Sequence, residues 1–284
     1  MSDPPYTFDA PDANVILRAP LQPDDPGSTA FKDFHTHIVV LSTASTVFRD
    51  LFSVPQPPKP TEGDTNLPTI HVAEPAEIFE TFLRFLYPIE PPAVNSLQTL
   101  ENLLQIADKY MAGGVRARLR RMVVVPSFLK SDPIRVYAIA CRMDLDEEAK
   151  LAISHSYNVD LVEEIPRSVL QAMTAETYNR LLRSHATRRK ELKTVINLAA
   201  TIPCKGKCTC GPGYYTSLKR EISLAVMERP VLTREILDSR LSVIRGPKST
   251  CGRGFSCRVS AQAITAFFTR ILDGAKRSGQ ALLW

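Results

Sequence analysis

Apolar residues in this chain recur with two different periods, and the change from one to the other organises the sequence. In Asp12-Ala13-Asn14-Val15-Ile16-Leu17-Arg18, Val15 and Leu17 stand two apart and share one face of a short strand. Pro20, Pro23, Asp24, Asp25, Pro26 and Gly27 then make a loop rich in chain breakers, and a second short strand centres on Phe34. From Ile38 to Phe52 the period lengthens. Val40, Leu41, Ala44, Phe48, Leu51 and Phe52 recur at three- and four-residue steps, which predicts one apolar helix face, with Ser42 and Ser45 marking a break into two short helices.

A polar, proline-rich connector runs from Pro55 to Leu67, and Thr69-Ile70-His71-Val72 reads as a third strand. Glu77 to Leu86 carries the clearest helical stripe, Ile78, Phe79, Phe82, Leu83 and Leu86, stopped by Pro88, Pro91 and Pro92. Leu97 to Met111 gives a second, through Leu97, Leu100, Leu104, Ala107 and Met111; Gly113 and Gly114 are expected to end it, and a further helix starts at Val115. From Asp132 onward the pattern is helical: Val136, Ala140 and Met143, then Ala149, Ala152 and Ile153, then Val169, Met173 and Leu181. Later helices are expected near 215–227, 233–243 and 261–272. No strand pattern recurs after residue 75 and no internal repeat is found. The expected class is α+β with helices dominating.

Composition narrows the class. A chain of 284 residues with 44% hydrophobic and 23% charged content has the material for about two folded domains. The net charge of +5 favours anionic surfaces in general without identifying a nucleic-acid binder. Residues 1–13 lack the basic flank and apolar run of a secretion signal, and the apolar stretches, such as Met122 to Val125, fall far short of the roughly 18 residues a membrane span needs. The cytosol or nucleus is the expected location, with no membrane partner.

Several of these segments resemble a known family in wording and in order. Asp12-Ala13-Asn14-Val15 is similar to the opening strand of the BTB/POZ domain, and Phe34-His35-Thr36-His37 to its F-x-x-H entry. The stretch from Leu41 to Phe52 resembles its L-S-x-x-S-x-x-F-x-x-x-F helical segment. Phe82-Leu83-Arg84-Phe85-Leu86-Tyr87 resembles the end of its central helix, and Leu103-Leu104-Gln105-Ile106-Ala107-Asp108-Lys109-Tyr110 the L-L-x-x-A-x-K-Y helix that follows. The resemblance covers residues 12–125. Ile38 stands where the family often has Lys, and the loop from Pro20 to Ala30 is longer than usual. The style of the segment from Ile134 through Ala152 resembles the fungal (basidiomycete-like) set of BTB proteins.

The resemblance implies a small sheet capped by helices over 12–125, followed by an all-helical C-terminal region over 132–284 that contains a cysteine-bearing loop. It also implies a protein-interaction role, a homodimer, an adaptor that recruits another protein, and no catalysis. Val15, Phe48, Leu51 and Phe52 are the candidate dimer contacts, with core packing as the open alternative for Phe48, Leu51 and Phe52. Ile78, Phe79 and Glu80 weakly resemble the surface that some BTB proteins offer to a cullin-type ubiquitin ligase. His37, by the same resemblance, is a structural helix-entry residue held by a hydrogen bond.

Other chemistry-bearing residues stand outside that reading. The five histidines show no metal-ligand spacing, and no glycine-rich phosphate loop exists. Cys204, Cys208, Cys210, Cys251 and Cys257 cluster toward the C-terminus, with Lys205, Lys207 and Arg253 among them to favour thiolates. Structural zinc, a disulfide and reduced thiols all stay open for them, and no other cofactor is expected. A nucleic-acid-associated regulator with a zinc-stabilised cysteine loop is the alternative function. It would use the run Arg116, Arg118, Arg120 and Arg121 against phosphate, although such a run is more often a solvated helix face.

Overall fold

The computed structural model describes residues 6–21, 30–54, 67–199, 211–244 and 261–280. It divides into two compact units, the first built from Met1–Ser131 and Met143–Glu148, the second from Asp132–Arg142 and Ala149–Trp284.

The first unit is organised around β1 (Val15–Pro20), on which Val15, Leu17 and Ala19 are buried and the residues between them are not. It pairs antiparallel with β2 (Phe31–Thr36), Leu17 facing Phe34, and parallel with β3 (Thr69–His71), Ile16 facing Thr69, in the order β2-β1-β3. A parallel pair cannot be closed by a hairpin. The chain between β2 and β3 supplies the crossover, including α1 (Ile38–Ala44) and α2 (Thr46–Ser53). The first strand begins later than the sequence pattern suggests, because residues 12–14 are otherwise engaged: Asn14 Oδ1 accepts the Ile38 amide at 2.8 Å and Asp12 faces His37.

Of the two serines expected to break the helical hairpin, Ser45 does so. Its backbone is extended, with φ −136°, and its hydroxyl caps α2 by accepting the Phe48 amide at 3.1 Å. The same hydroxyl donates to the Tyr110 carbonyl at 2.6 Å, tying the hairpin to a residue 65 positions away.

Beneath the sheet, α3 (Ala76–Leu86) buries Phe79, Phe82, Leu83, Phe85 and Leu86. Each phenylalanine contributes about 2 kcal/mol by leaving water. Ser96 caps α4 (Leu97–Lys109), which buries Leu97, Leu100, Leu103, Leu104, Ile106 and Ala107. Met111, expected on that stripe, is instead exposed and adopts a positive φ of 48°, so the turn after Lys109 ends the helix. Gly113 and Gly114, expected to be the stop, are the first residues of α5 (Gly113–Val123). A short α6 (Pro126–Ser131) follows.

In the second unit every regular element among the described residues is a helix: α7 (Pro133–Arg142), α8 (Asp146–Ser156, divided between the units after Glu148), α9 (Arg167–Gln171), α10 (Ala175–Leu198), α11 (Gly211–Glu228), α12 (Arg234–Ile244) and α13 (Ala261–Gln280). Leu192 and Ile196 of α10 meet Leu218, Ile222 and Val226 of α11, Leu237 of α12, and Phe267, Phe268 and Ile271 of α13 in one core. At Gly274, α13 lies tightly against α10: a methyl group there would lie 2.7 Å from Val195 Cγ1. No described helix is long and apolar enough to cross a membrane.

Candidate interaction surface

His37 stands just past the end of β2, where it is the residue before α1. Its amide donates to the Tyr87 hydroxyl at 2.9 Å, its Nδ1 lies 3.1 Å from the same oxygen, and its Nε2 is 3.3 Å from Asp12. One arrangement satisfies all three contacts. The Tyr87 hydroxyl accepts from the amide and donates to Nδ1, while Nε2–H donates to the carboxylate. Burial pushes the Tyr87 phenol up to about 12, and the His37 hydrogen bond holds the Asp12 carboxyl below the usual carboxylate range. This is a fixed structural junction, with the imidazole engaged at both nitrogens.

The α1–α2 hairpin uses one side for the core. Phe48 stacks on Tyr110 at 4.8 Å and on Phe52 at 6.1 Å. The Tyr110 hydroxyl donates to Glu74 Oε2 at 2.8 Å, Lys109 pairs with the other oxygen of that carboxylate, and burial together with Glu74 raises the phenol.

Of the expected dimer contacts, Val15 and Phe48 are 0% and 1% exposed and belong to the interior of the unit. Strand alternation turns Val15 inward and the Tyr110 stack does the same for Phe48, so within one copy both are core residues. Phe52 is half-buried against Phe48, and Leu51 is exposed at 38%. Two further apolar side chains outside the helical stripe are more exposed still: Val39 at 68% on α1 and Val54 at 60% just beyond α2. The signal for Val39 was present in the sequence, since it is a β-branched residue that falls off the stripe formed by Leu41, Ala44 and Phe48.

Of the expected partner-binding trio, Phe79 is wholly buried and packs against Phe34, Phe82 and Tyr110. Ile78 is half-buried. Glu80 is held between Lys32 at 2.6 Å and Arg84 at 3.0 Å; burial opposes its charge, but the two cations keep its carboxyl below the usual range.

The basic run on α5 is largely engaged within the first unit. Arg116 bonds Asp108 at 2.6 Å and the Met143 carbonyl at 2.8 Å. Arg118 donates to the Phe85 carbonyl and covers the Phe85 ring, and Arg120 pairs with Glu148 at 2.5 Å. Arg121 is exposed. Three of the four guanidinium groups thus hold the fold together, which answers the phosphate reading of that run. Cys204, Cys208, Cys210, Cys251 and Cys257 lie outside the described residues. Among the described residues no cluster of His, Cys, Asp and Glu has the arrangement of a metal site.

A sheet of three strands in the order β2-β1-β3, a capped helical hairpin after β2, and an aromatic helix packed beneath them agree with what a family comparison finds. The family model described as BTB/POZ domain matches residues 29–125. Residues 29–125 of this unit are a BTB domain. No curated protein matches the chain. The BTB domain is a protein–protein interaction module, and here it is followed by a helical C-terminal region. Its matched segment contains the α1–α2 hairpin with Val39, Leu51 and Val54, the buried stripe of α3 and the Lys109-Tyr110 corner.

Within the second unit, sequence reasoning also missed a buried polar pair. His185 of α10 and Ser156 of α8 are both 0% exposed, with the imidazole Nε2 2.9 Å from the hydroxyl oxygen. Tyr157 meets the imidazole edge-on at 5.1 Å. The other ring nitrogen, Nδ1, has no hydrogen-bond partner among the described residues. Burial first, and the Arg189 charge second, bring the imidazole down to about 4. Serine beside histidine suggests nucleophilic catalysis, but full burial denies a substrate access, and the Ser156 hydroxyl is within 2.7 Å of the Ile153 carbonyl. The pair is structural.

Proposed function

We propose that this chain is an adaptor: it self-associates through the α1–α2 side of its BTB domain and recruits another protein through its helical C-terminal unit. The match of residues 29–125 to the BTB/POZ domain carries the reading. The exposed Val39, Leu51 and Val54 support its self-association arm, because apolar side chains left in water by one copy gain free energy when a second copy covers them. The cytosol or nucleus is where it would act.

A cullin-type ubiquitin ligase as the recruited partner has narrower support, since of the three residues first considered only Ile78 offers apolar surface and Glu80 is already engaged. Light scattering at micromolar concentration tests self-association, with a mass near twice the 31.6 kDa of one chain expected. A mass that stays at one chain would remove that arm. Affinity purification from the native cell, with bound proteins identified, tests the recruiting arm and reads cullins directly. Recovery of the chain with no reproducible companion would remove it.

A further inference from the structure

The outer edge of β2 is covered by a segment that the strand pattern did not include. Asp9 forms an isolated parallel bridge with His35, and the His35 amide donates to the Phe8 carbonyl at 2.9 Å. The Phe8 ring enters an aromatic groove, meeting Tyr87 edge-on at 5.2 Å and Phe34 at 5.9 Å. Tyr6 leans on Tyr87 at 5.6 Å, and Arg84 donates to the Tyr6 carbonyl at 2.8 Å. Thr7, between the two aromatics, is exposed.

These are the contacts by which an extended peptide adds to a sheet edge. Main-chain bonds run along the strand, and alternate side chains enter a pocket. The strap is anchored by the buried Phe8 ring, but its backbone pairing is sparse: one isolated bridge joins it to β2, whereas six consecutive residue pairs hold β1 to β2. A turn closed by the Ala13 amide on the Ala10 carbonyl, 3.2 Å, separates it from β1, so it can leave without unzipping the sheet.

We propose that this groove, formed by Phe34, His35, Arg84 and Tyr87, is a docking surface for an extended segment of a partner protein carrying aromatic side chains at alternate positions, and that residues 6–9 are a built-in competitor occupying it in cis. A tethered strap acts at an effective concentration of about millimolar, so it excludes weak ligands and yields only to a stronger or multivalent one. The inference rests on reading the unit as an interaction module, but concerns a different surface from the α1–α2 side.

The test uses a fluorescent peptide of residues 6–12, Tyr-Thr-Phe-Asp-Ala-Pro-Asp. It is titrated by anisotropy against the full chain and against the Tyr6→Ala/Phe8→Ala double variant. Binding at least tenfold tighter to the double variant is expected. Equal binding to both, or binding to neither by a folded variant, would overturn the proposal. Loss of self-association in the double variant would also overturn it, by making a second copy the occupant. Should the variant fail to fold, amide exchange on the unaltered chain decides. The His35 amide, bonded to the strap, should exchange at least tenfold faster than the Ile16 amide, which is bonded to the Pro68 carbonyl at 2.9 Å inside the sheet. Equal protection would mean that the strap opens only with the whole unit. A negative peptide result with the dimer intact by light scattering would sink this inference alone and leave the adaptor reading standing.

Discussion

Single side chains in the first unit do two jobs at once, and Ser45 shows how. Its hydroxyl accepts the amide that starts α2 and donates to a carbonyl at the end of α4. Ser45→Ala removes the cap and leaves a buried carbonyl short of a donor, so a loss of about 2 kcal/mol is expected in urea unfolding. Ser42→Ala, inside α1, should change stability by less than about 0.5 kcal/mol. Equal effects would mean that the two serines share the break.

His185 makes a prediction about pH. Its folded-state value of about 4 lies below the ordinary histidine value of 6.5, because burial disfavours the charged ring. Between those two values the unfolded chain binds the proton and the folded chain does not. Stability therefore falls as pH drops from 6.5 toward 4, and below 4 this residue costs nothing further. The total is on the order of a few kcal/mol. Carboxylates held below their usual range, such as Asp33 beside Arg18, add acid losses of their own as pH falls through their lowered values. Subtracting the profile of His185→Gln, which keeps a donor for Ser156 but does not titrate, isolates the histidine. A variant whose urea midpoint falls as steeply as the parent's over that window would remove His185 as the cause.

At the scale of elements, the packing of α10 and α13 depends on one missing methyl group. Gly274→Ala would gain helix propensity of about 1 kcal/mol, yet the new carbon would stand 2.7 Å from Val195 Cγ1. Valine in a helix has essentially one side-chain rotamer, so it cannot swing aside. Net destabilisation of the second unit by about 1–3 kcal/mol is expected, and Val195→Ala in the same chain should restore most of it. Thermal unfolding of the two single variants and the double measures the coupling; strictly additive effects would mean that the two residues do not touch.

The same scale separates what the sequence shows from what it hides. The stripe on α3 is legible because helical spacing and core burial coincide at Phe79, Phe82, Leu83 and Leu86. The Gly113-Gly114 pair is ambiguous because glycine, although commoner just past the end of a helix, can also open one. The residue that ends α4 is Met111, whose left-handed backbone leaves no mark in an apolar pattern. Strand β1 is legible in its alternation but not at its start, since Asp12 and Asn14 take partners more than twenty positions away. The candidate interface suffered most, because periodicity finds the face that packs inward. Phe48 and Phe79 announce themselves as large and apolar, and for that reason are interior. Val39 and Val54, the residues left in water, are visible only as apolar positions that fail to fit the stripe.

That failure to fit gives the whole-molecule prediction its design. A dimer held through the α1–α2 side needs roughly 800 Å2 covered on each copy, and Val39, Leu51 and Val54 are apolar side chains there that one copy leaves exposed. Val39→Asp and Leu51→Asp each put a carboxylate into that contact. A charge buried without a partner costs several kcal/mol, so together they should weaken self-association by a hundredfold or more. Folding should be little affected, because at 68% and 38% exposure the new groups stay hydrated in the single chain. The doubly substituted chain is therefore expected to run at the mass of one copy by light scattering while melting within a few degrees of its parent. Phe48→Asp is the contrasting case. At 1% exposure and stacked on Tyr110, it should unfold the first unit instead of merely separating copies. A doubly substituted chain that still runs at twice the single-chain mass would place the contact elsewhere on the BTB domain or in the helical region, since hydrated aspartates cannot be carried into an apolar interface without loss of affinity.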